Sequence, residues 1–525
     1  MRKFEKTQIL KNVGSSWSAL VINILIGIVL SPFILHRLGD TAFGIWILIF
    51  SITGYYGMFD LGIRSSIVRY VSKHAAKNET EELTKFVNTS LFTYTAIGLL
   101  AMMVTVALTL SLHRLFPRIP PAMLSQAHWS LLMAGTSVAL GFPLGVFGGI
   151  LDGLQRFYIN SWTGILSTFL RAALIVYALH HGHGLLTVVA ITVSMPILTS
   201  IPRGIAVFRL LRLPLGFRYV DRKAFQEMAH YSATTTIVII AAQLRFRTDQ
   251  LVVGSMMSAA AVTLFTIGSR PVDYAQQLIA TLVQIFVPMS SQSEAVGDMG
   301  RVRKIYVAGN RACALVMFPM AAAFLVLGKS IIEVWMGARY VAASYPVMVI
   351  MVVPIALLFI QGASGRILMG LGRQRDFAKV VLMEGIANVI LSIILVRPFG
   401  IRGDAMGTAI PMLLTALWFL PRHMRKQLGV PVKAFLWEAY ALPLLLATPL
   451  VATLFLLRHW RPAHNLRHLF VQCLVGGAVY GAGLLWAYKS GRLFRVGDLK
   501  LIGEGATTEG LELPPIAAGY PEDEV

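Results

Sequence analysis

The chain has 525 residues, of which 56% are hydrophobic and 14% are charged, whereas soluble globular proteins carry about 25% charged residues. Its 46 Lys and Arg residues against 25 Asp and Glu give a net charge of +21, and the excess lies in short clusters between long apolar runs. This pattern is typical of an integral membrane protein rather than of a nucleic-acid-binding protein. Soluble enzymes, disulfide-rich secreted scaffolds and disordered chains are excluded.

Long apolar runs predict membrane-spanning helices, because about 20 residues at a rise of about 1.5 Å cross a hydrocarbon core of ~30 Å. We predict an all-α integral membrane fold with about fourteen transmembrane helices. Their predicted ranges are 15–36, 43–63, 87–112, 125–150, 158–179, 184–207, 229–254, 262–289, 308–327, 343–365, 378–396, 404–421, 438–457 and 469–488.

The basic residues predict the orientation of these helices, because segments that stay in the cytoplasm are enriched in Lys and Arg. If the N-terminus lies inside, the cytoplasmic segments hold 32 of the 46 basic residues and the outer segments hold 10. Both termini are therefore predicted to be cytoplasmic. The tail 489–525 is rich in Gly, Pro and acidic residues and is predicted to be disordered.

A weak internal repeat predicts how the helices are grouped. A shift of 219 residues places Ala42–Trp46 on Ala261–Phe265, with six predicted spans between the copies. An even number of spans leaves both copies in the same orientation, so the repeats are related by a pseudo-two-fold axis along the membrane normal. We predict a six-helix bundle over 1–212, a second one with its preceding cytoplasmic linker over 213–436, and an added helix pair over 437–488.

Five motifs in fixed order carry a resemblance to a known family, and together they extend over roughly residues 8–430. They are Leu38–Trp46, Phe59–Arg64, Thr248–Gly254, Asn388–Arg397 and Phe399–Ala409. The chain resembles the polysaccharide-transporter branch of the multidrug/oligosaccharidyl-lipid/polysaccharide exporter superfamily, the O-antigen-type flippases. The resemblance implies transport of undecaprenyl-pyrophosphate-linked oligosaccharide from the inner to the outer leaflet, by alternating access of two bundles around a cationic lumen.

The same resemblance implies a location and a set of partners. The location is the bacterial cytoplasmic (inner) membrane, and the partners are the lipid-linked glycan, membrane lipids, a glycan polymerase and glycosyltransferases, with no nucleic acid. Two related branches remain as alternatives, a cation-coupled exporter of small amphipathic compounds and a lipid II flippase. Lipid II flippases carry arginines midway along the second span, where this chain has Tyr55 and Tyr56.

Arginines within predicted spans are the candidate substrate-binding residues. An arginine at the centre of a bilayer costs about 2.5–3.5 kcal/mol on insertion scales, so these side chains should face protein or a wet cavity. Guanidinium groups suit bidentate phosphate binding. The predicted cationic lumen consists of Arg64, Arg171, Gln243, Arg245, Arg247 and Arg270.

An alternative is that most of these arginines are neutralised by acids on the same helix. Three pairs are three or four residues apart and can share a helix face: Arg245 with Asp249, Arg270 with Asp273, and Arg64 with Asp60. Such pairing would serve insertion alone. Arg171 and Arg247 have no such neighbour in the sequence, which favours the lumen.

Acidic and polar residues within spans are candidates for coupling transport to Na⁺ or H⁺, and no other cofactor is expected. The resemblance implies a sodium site built from spans 7, 11 and 12. The ion-coupling candidates are Asp60, Asp249, Glu384, Asn388 and Thr408. Asp249 is predicted nearer the outer end of its span and Glu384 nearer the inner end, which argues against one shared site. The alternative for Glu384 is an ion pair with an arginine of another helix.

The remaining motifs predict packing rather than chemistry. Gly141, Gly145, Gly149 and Gly153 recur every four residues and predict close helix contact. No outer loop is long enough for a catalytic domain, and Gly328-Lys329-Ser330 lacks the first glycine of a phosphate-binding loop. The chain is therefore predicted to be a transporter and not an enzyme.

Overall fold

The computed structural model of the chain describes residues 2–211, 214–373 and 375–493. Within these ranges the backbone forms helices joined by short turns and contains no β-strand. The predicted all-α fold is therefore confirmed. The predicted disordered tail lies outside the described residues from position 494 onward and stays a prediction.

Eight α-helices form the part of the chain that we call the N-terminal half. They are α1 Arg2–Leu38, α2 Asp40–Gly54, α3 Ile63–Ala76, α4 Thr80–Leu110, α5 Leu112–Leu115, α6 Pro121–Gly153, α7 Phe157–His180 and α8 Leu185–Leu211. A 3₁₀ helix over Tyr55–Asp60 continues α2 towards α3.

Nine α-helices form the part that we call the C-terminal half, and two more follow it. The nine are α9 Arg222–Met256, α10 Ala259–Leu282, α11 Phe286–Ala295, α12 Met299–Trp335, α13 Val341–Phe359, α14 Gly362–Gly370, α15 Arg375–Phe399, α16 Ile401–Leu414 and α17 Leu420–Leu428. The added pair is α18 Val432–Trp460 and α19 Leu466–Lys489. This pair packs on α12, where Arg458 donates to the carbonyl of Val326 (2.7 Å) and Tyr480 to that of Leu315 (2.7 Å).

Twelve helical segments of the described chain are long and apolar enough to cross a membrane. The two other predicted spans, 229–254 and 262–289, fall on α9 and α10. These two helices are long but carry the charged residues that the sequence singles out, which lowers their hydropathy. The total of fourteen spans and the pseudo-two-fold axis therefore stay predictions.

Glycines set the tight turns at one end of each half. Gly39 has φ +80° between α1 and α2, and Gly400 has φ +58° between α15 and α16. Residues with a Cβ rarely adopt this left-handed conformation, so glycine lets consecutive helices reverse direction without a longer loop. Both glycines belong to the motifs that carry the family resemblance.

The two halves meet through α2 and α10. A Cβ added at Gly44 would lie 1.8 Å from the carbonyl oxygen of Ala259, so only glycine allows this approach. Around it, Phe43 and Ile47 of α2 share a buried cluster with Val262 and Phe265 of α10. The two copies of the sequence repeat, Ala42–Trp46 and Ala261–Phe265, therefore pack against each other.

The glycine stripe of α6 divides into a packed part and an open part. A Cβ at Gly149 would lie 3.0 Å from Ile67, and one at Gly153 would lie 2.9 Å from Val71, so both glycines allow α3 to pack closely. Gly141 and Gly145 have no such neighbour within 4 Å among the described residues. The packing prediction is therefore wrong for Gly141 and Gly145, which face open space.

Candidate functional site

A buried polar cluster joins α9, α15 and α16 in the C-terminal half. Asp249 of α9 is 5% exposed, and its Oδ1 accepts hydrogen bonds from Thr408 Oγ1 (2.8 Å) and Asn388 Nδ2 (3.4 Å). Thr408 lies 3.2 Å from Asn388 Oδ1. Asn388 Nδ2 also contacts the carbonyl oxygen of Arg245 at 3.2 Å. The consecutive helices α15 and α16 and the distant helix α9 therefore converge on one set of oxygen atoms.

Two residues that sequence analysis missed complete this cluster. Ser392 Oγ donates to Asn388 Oδ1 (2.9 Å) and approaches the carbonyl oxygen of Asp404 (3.3 Å). Asp404 is 0% exposed, and neither of its carboxylate oxygens has a hydrogen-bond donor within the described chain. Asp404 also lies within electrostatic range of Asp249. The cluster therefore holds two buried acids close to each other.

Two glycines explain why α15 and α16 come close enough to form the cluster. A Cβ at Gly403 would lie 1.9 Å from the carbonyl oxygen of Leu395, and one at Gly407 would lie 2.5 Å from the backbone nitrogen of Ser392. Small residues at four-residue spacing allow this contact between helices. An acid within this glycine motif, Asp404, was the available sequence signal for the missed residue.

Glu384 lies on the same helix as Asn388, but its partner is a cation. Its Oε1 is 2.5 Å from Arg245 Nε, and the two side chains are 2% and 6% exposed. This is the pairing with an arginine of another helix that the sequence left open. Three of the predicted ion-coupling residues therefore meet: Asp249, Asn388 and Thr408. Glu384 forms its ion pair with Arg245 next to them. Asp60 lies in the N-terminal half, where Tyr94 donates a hydrogen bond to its carboxylate.

Part of the predicted cationic lumen lies where α9 faces the end of α2. Gln243 Nε2 donates to the carbonyl oxygen of Gly54 (3.1 Å), and a Cβ at Gly54 would lie 3.8 Å from the guanidinium of Arg247. One turn further on, Thr248 shares a hydrogen bond of 2.7 Å with Tyr55. The side chain of Arg247 is nevertheless exposed. Arg247 therefore lies at the boundary of the two halves with its side chain exposed.

The other predicted arginines lie at separate places. Arg270 of α10 is half-buried, and Asp273 lies in the electrostatic field of both Arg270 and Arg247. Arg171 is half-buried on α7, and its Nε–H has no acceptor among the described residues. Arg64 of α3 is bonded to Asp152 of α6 (3.0 Å). The six predicted residues do not form a single patch.

In two of the three possible same-helix pairs, the arginine forms its ion pair with an acid of another helix. Arg245 pairs with Glu384 rather than with Asp249. Arg64 pairs with Asp152 rather than with Asp60. The partners are supplied by other helices, so these charges connect elements instead of only easing the insertion of their own helix.

Polar contacts also join the halves at the end that the basic residues assign to the outside. Asp40 Oδ1 accepts from Arg339 Nη2 (3.1 Å) and from Tyr340 OH (2.5 Å), and the carbonyl oxygen of Asp40 accepts from Thr263 (2.7 Å). Arg118 Nη1 donates to the carbonyl oxygen of Met257 (3.2 Å). Together with the contact at Gly44, these bonds hold the two halves together at this end.

Comparison with known sequences places these features in a family. The sequence profile of a family described as polysaccharide biosynthesis protein matches residues 9–294, more than half of the chain. The chain is 23% identical over 445 residues to the uncharacterized membrane protein EpsK of Bacillus subtilis, covering 81% of this chain and 85% of that protein. It is 19% identical over 417 residues to a putative O-antigen transporter of Shigella flexneri, covering 78% and 96%.

Solved structures share the fold. The lipid II flippase MurJ in an inward closed conformation superposes with a TM-score of 0.71 at 14% identity, covering 91% of this chain and 98% of MurJ. A multidrug resistance transporter of the MATE family, in the MOP superfamily, superposes with a TM-score of 0.59 at 14% identity, covering 80% and 93%. At these identities the likeness establishes the fold alone.

Proposed function

Because the chain belongs to the polysaccharide biosynthesis protein family, we propose that it moves undecaprenyl-pyrophosphate-linked oligosaccharide from the inner to the outer leaflet of the bacterial cytoplasmic membrane. The observation that carries the proposal is the exposed guanidinium of Arg247 at the boundary between the two halves. Glycosyltransferases would supply the cargo on the inner side and a polymerase would receive it on the outer side.

The position of Arg247 supports a wet passage and not a lipid-facing charge. An arginine held against hydrocarbon is strongly disfavoured, whereas one that lines a water-filled cavity keeps its solvation. Arg247 is exposed close to the backbone of Gly54, where Gln243 donates to the carbonyl oxygen of Gly54, and Tyr55 lies within its electrostatic range. A pyrophosphate that crosses the membrane needs such donors, because its charge would otherwise lose all solvation.

The contacts between the two halves at the predicted outer end support alternating access, with the passage closed at that end and open to the inside. Asp40, Arg339, Tyr340 and Thr263 join the two halves there, which would close the passage to the outside. The ion pair between Arg339 and Asp40 is partly exposed, and exposed ion pairs contribute about 0–1 kcal/mol each. This ion pair therefore adds little to the barrier against opening during a transport cycle.

The cluster around Asp249 is proposed to couple this cycle to a cation. Its oxygen atoms come from Asp249, Asn388, Thr408, Ser392 and Asp404, and hard cations prefer such oxygen ligands. Two buried carboxylates near each other are unfavourable as a pair of anions, so binding of Na⁺ or H⁺ would relieve the repulsion. Since α9 carries both Asp249 and Arg247, ion binding can move the helix that contacts the substrate.

The test is surface glycan display by a deletion strain that carries variants of this chain. Arg247→Ala is expected to reduce display at least about tenfold, because a charge-assisted phosphate contact contributes about 1.5–3 kcal/mol. Arg270→Ala is expected to act in the same direction. The matched control is Arg114→Ala, which removes an equal charge from an exposed position at the predicted outer surface and should retain full display.

Membrane insertion of each variant is measured in parallel by quantifying the protein in the membrane fraction. Full display by both Arg247→Ala and Arg270→Ala, at normal protein levels, would exclude the cationic passage. Arg247→Lys keeps the charge but loses the bidentate fork, so it should fall between the alanine variant and the parent.

Two other cargoes are alternatives. The buried acids around Asp249 and the MATE-like fold favour a cation-coupled exporter of small amphipathic compounds. That reading predicts increased drug susceptibility in the deletion strain with unchanged surface glycan. Lipid II is the other alternative, since MurJ shares the fold, and this alternative predicts that the chain restores growth to cells depleted of their own lipid II flippase.

A further inference from the structure

A second charged cluster lies in the N-terminal half, away from the boundary with the C-terminal half. Arg64 Nη2 of α3 donates to Asp152 Oδ2 of α6 (3.0 Å), and Asn160 Nδ2 of α7 donates to Asp152 Oδ1 (2.7 Å). The side chain of Arg64 is 56% exposed and that of Asp152 is 16% exposed. One face of this cluster is therefore accessible.

A second guanidinium, near the end of the predicted span 184–207, belongs to the same cluster. Arg203 of α8 is half-buried, and its Nε donates to Thr163 Oγ1 (3.0 Å) while its Nη2 donates to the carbonyl oxygen of Asn160 (3.3 Å). It lies within electrostatic range of both Arg64 and Asp152. Two arginines therefore lie near one carboxylate, which is bonded only to Arg64 of the two, and the cluster carries an excess positive charge.

One face of α6 passes from open positions to a position packed against this cluster. A Cβ at the buried Gly148 would lie in van der Waals contact with Arg64 Nη2 (3.8 Å) and Asn160 Oδ1 (3.6 Å), so this glycine packs directly against the cluster. Gly141 and Gly145 lie on the same helix face as Asp152, at helical spacing, and face open space. The accessible side of the cluster is therefore the exposed guanidinium of Arg64.

We propose that Arg64 and Arg203 form a pyrophosphate-binding site that receives the headgroup of the lipid-linked substrate at the cytoplasmic end of the N-terminal half. This inference rests on the proposed function for the identity of the cargo. While no substrate is bound, Asp152 holds Arg64 in place, and Thr163 with the carbonyl oxygen of Asn160 holds Arg203. The more highly charged pyrophosphate replaces Asp152 as the partner of Arg64 and binds Arg203 as well. Two forked guanidinium groups can bind the two phosphates of one headgroup bidentately.

The site is tested by direct binding to the purified full-length chain in lipid nanodiscs, with inorganic pyrophosphate and farnesyl pyrophosphate as probes. Arg203→Ala is expected to weaken binding of both probes at least about tenfold, the loss of a charge-assisted contact. The matched control is Arg209→Ala, which removes the same charge from an exposed position in the last turn of α8 and should leave binding unchanged. Unchanged affinity in Arg203→Ala would overturn the proposal.

Asp152→Asn provides a second test that does not depend on removing an arginine. Because Asn is nearly the same size but uncharged, the variant removes the competing anion, and pyrophosphate should bind several-fold more tightly. A cluster that only stabilises the fold predicts instead a lower unfolding temperature and no gain in affinity, which would overturn the proposal. Tighter binding of farnesyl pyrophosphate than of inorganic pyrophosphate supports a lipid-linked ligand, and equal affinities contradict it.

The two proposals fail in different ways. Loss of pyrophosphate binding in Arg203→Ala, together with normal surface glycan in a deletion strain, would leave the anion site standing and refute the proposed cargo. Defective glycan in the deletion strain, with full pyrophosphate binding by Arg203→Ala, would refute the anion site and leave the proposed cargo standing.

Discussion

The two halves of the molecule both place arginine beside an acid, but in opposite environments. In the C-terminal half, Arg245 and Glu384 are 6% and 2% exposed, whereas in the N-terminal half Arg64 is 56% exposed beside Asp152. A buried pair cannot exchange partners without leaving a charge unsolvated, but an exposed pair can. The comparison suggests that the C-terminal pair fixes helices in place, while the N-terminal pair is available to a ligand.

Breaking the buried pair of Arg245 and Glu384 should lower the stability of the fold more than any of the other substitutions. Arg245→Met leaves Glu384 buried without this partner, which is expected to destabilise the fold by about 3–5 kcal/mol. The double variant Arg245→Met/Glu384→Met should recover most of that loss, because neither charge remains. Thermal unfolding of the purified protein in detergent measures both.

The exposed pair of Arg64 and Asp152 is the comparison for this measurement. Arg64→Met should change stability by only about 0–1 kcal/mol, because water takes over the lost interaction. Equal losses in Arg64→Met and Arg245→Met would contradict the distinction between the two halves.

A smaller effect is expected from the glycines that separate packed from open surfaces. Gly403→Ala should destabilise the protein by about 1–3 kcal/mol, because its Cβ would overlap the carbonyl oxygen of Leu395 and push α15 from α16. Gly145→Ala is the matched control in the N-terminal half, and it should be neutral or stabilising by up to about 1 kcal/mol. A comparison of unfolding temperatures checks this, and a destabilised Gly145→Ala would mean that the space beside Gly145 is filled.

The smallest change in stability is expected from ion binding, which would distinguish the ligand of the C-terminal half from that of the N-terminal half. If the Asp249 cluster takes Na⁺, sodium at about ten times its dissociation constant should add about 1.4 kcal/mol to stability over choline at equal ionic strength. Asp249→Asn and Asp404→Asn should abolish the increase, whereas Asp152→Asn in the N-terminal half should retain it. A parent protein whose stability does not respond to sodium would exclude sodium coupling and leave a proton.

The family motifs predicted more of the candidate ion cluster than of the anion site. Asp249, Asn388 and Thr408 were predicted because the resemblance directs attention to spans 7, 11 and 12. Asp404 lay within one of the quoted motifs and was still missed, because the glycine motif indicates only that α16 packs closely and not that Asp404 lies near Asp249. Arg203 was missed because a basic residue near the end of a span is most simply explained by membrane orientation.

Composition, hydropathy and motifs were sufficient to predict a helical membrane protein and its family. These properties depend on local composition, because an apolar run of sufficient length must become a spanning helix whatever surrounds it. Which charges meet depends on the packing of the helices in three dimensions. Asp249 and Thr408 are 159 residues apart, and Arg64 and Asp152 are 88 apart. Such contacts depend on the relative rotation of packed helices, which close glycine contacts set and which no local pattern specifies.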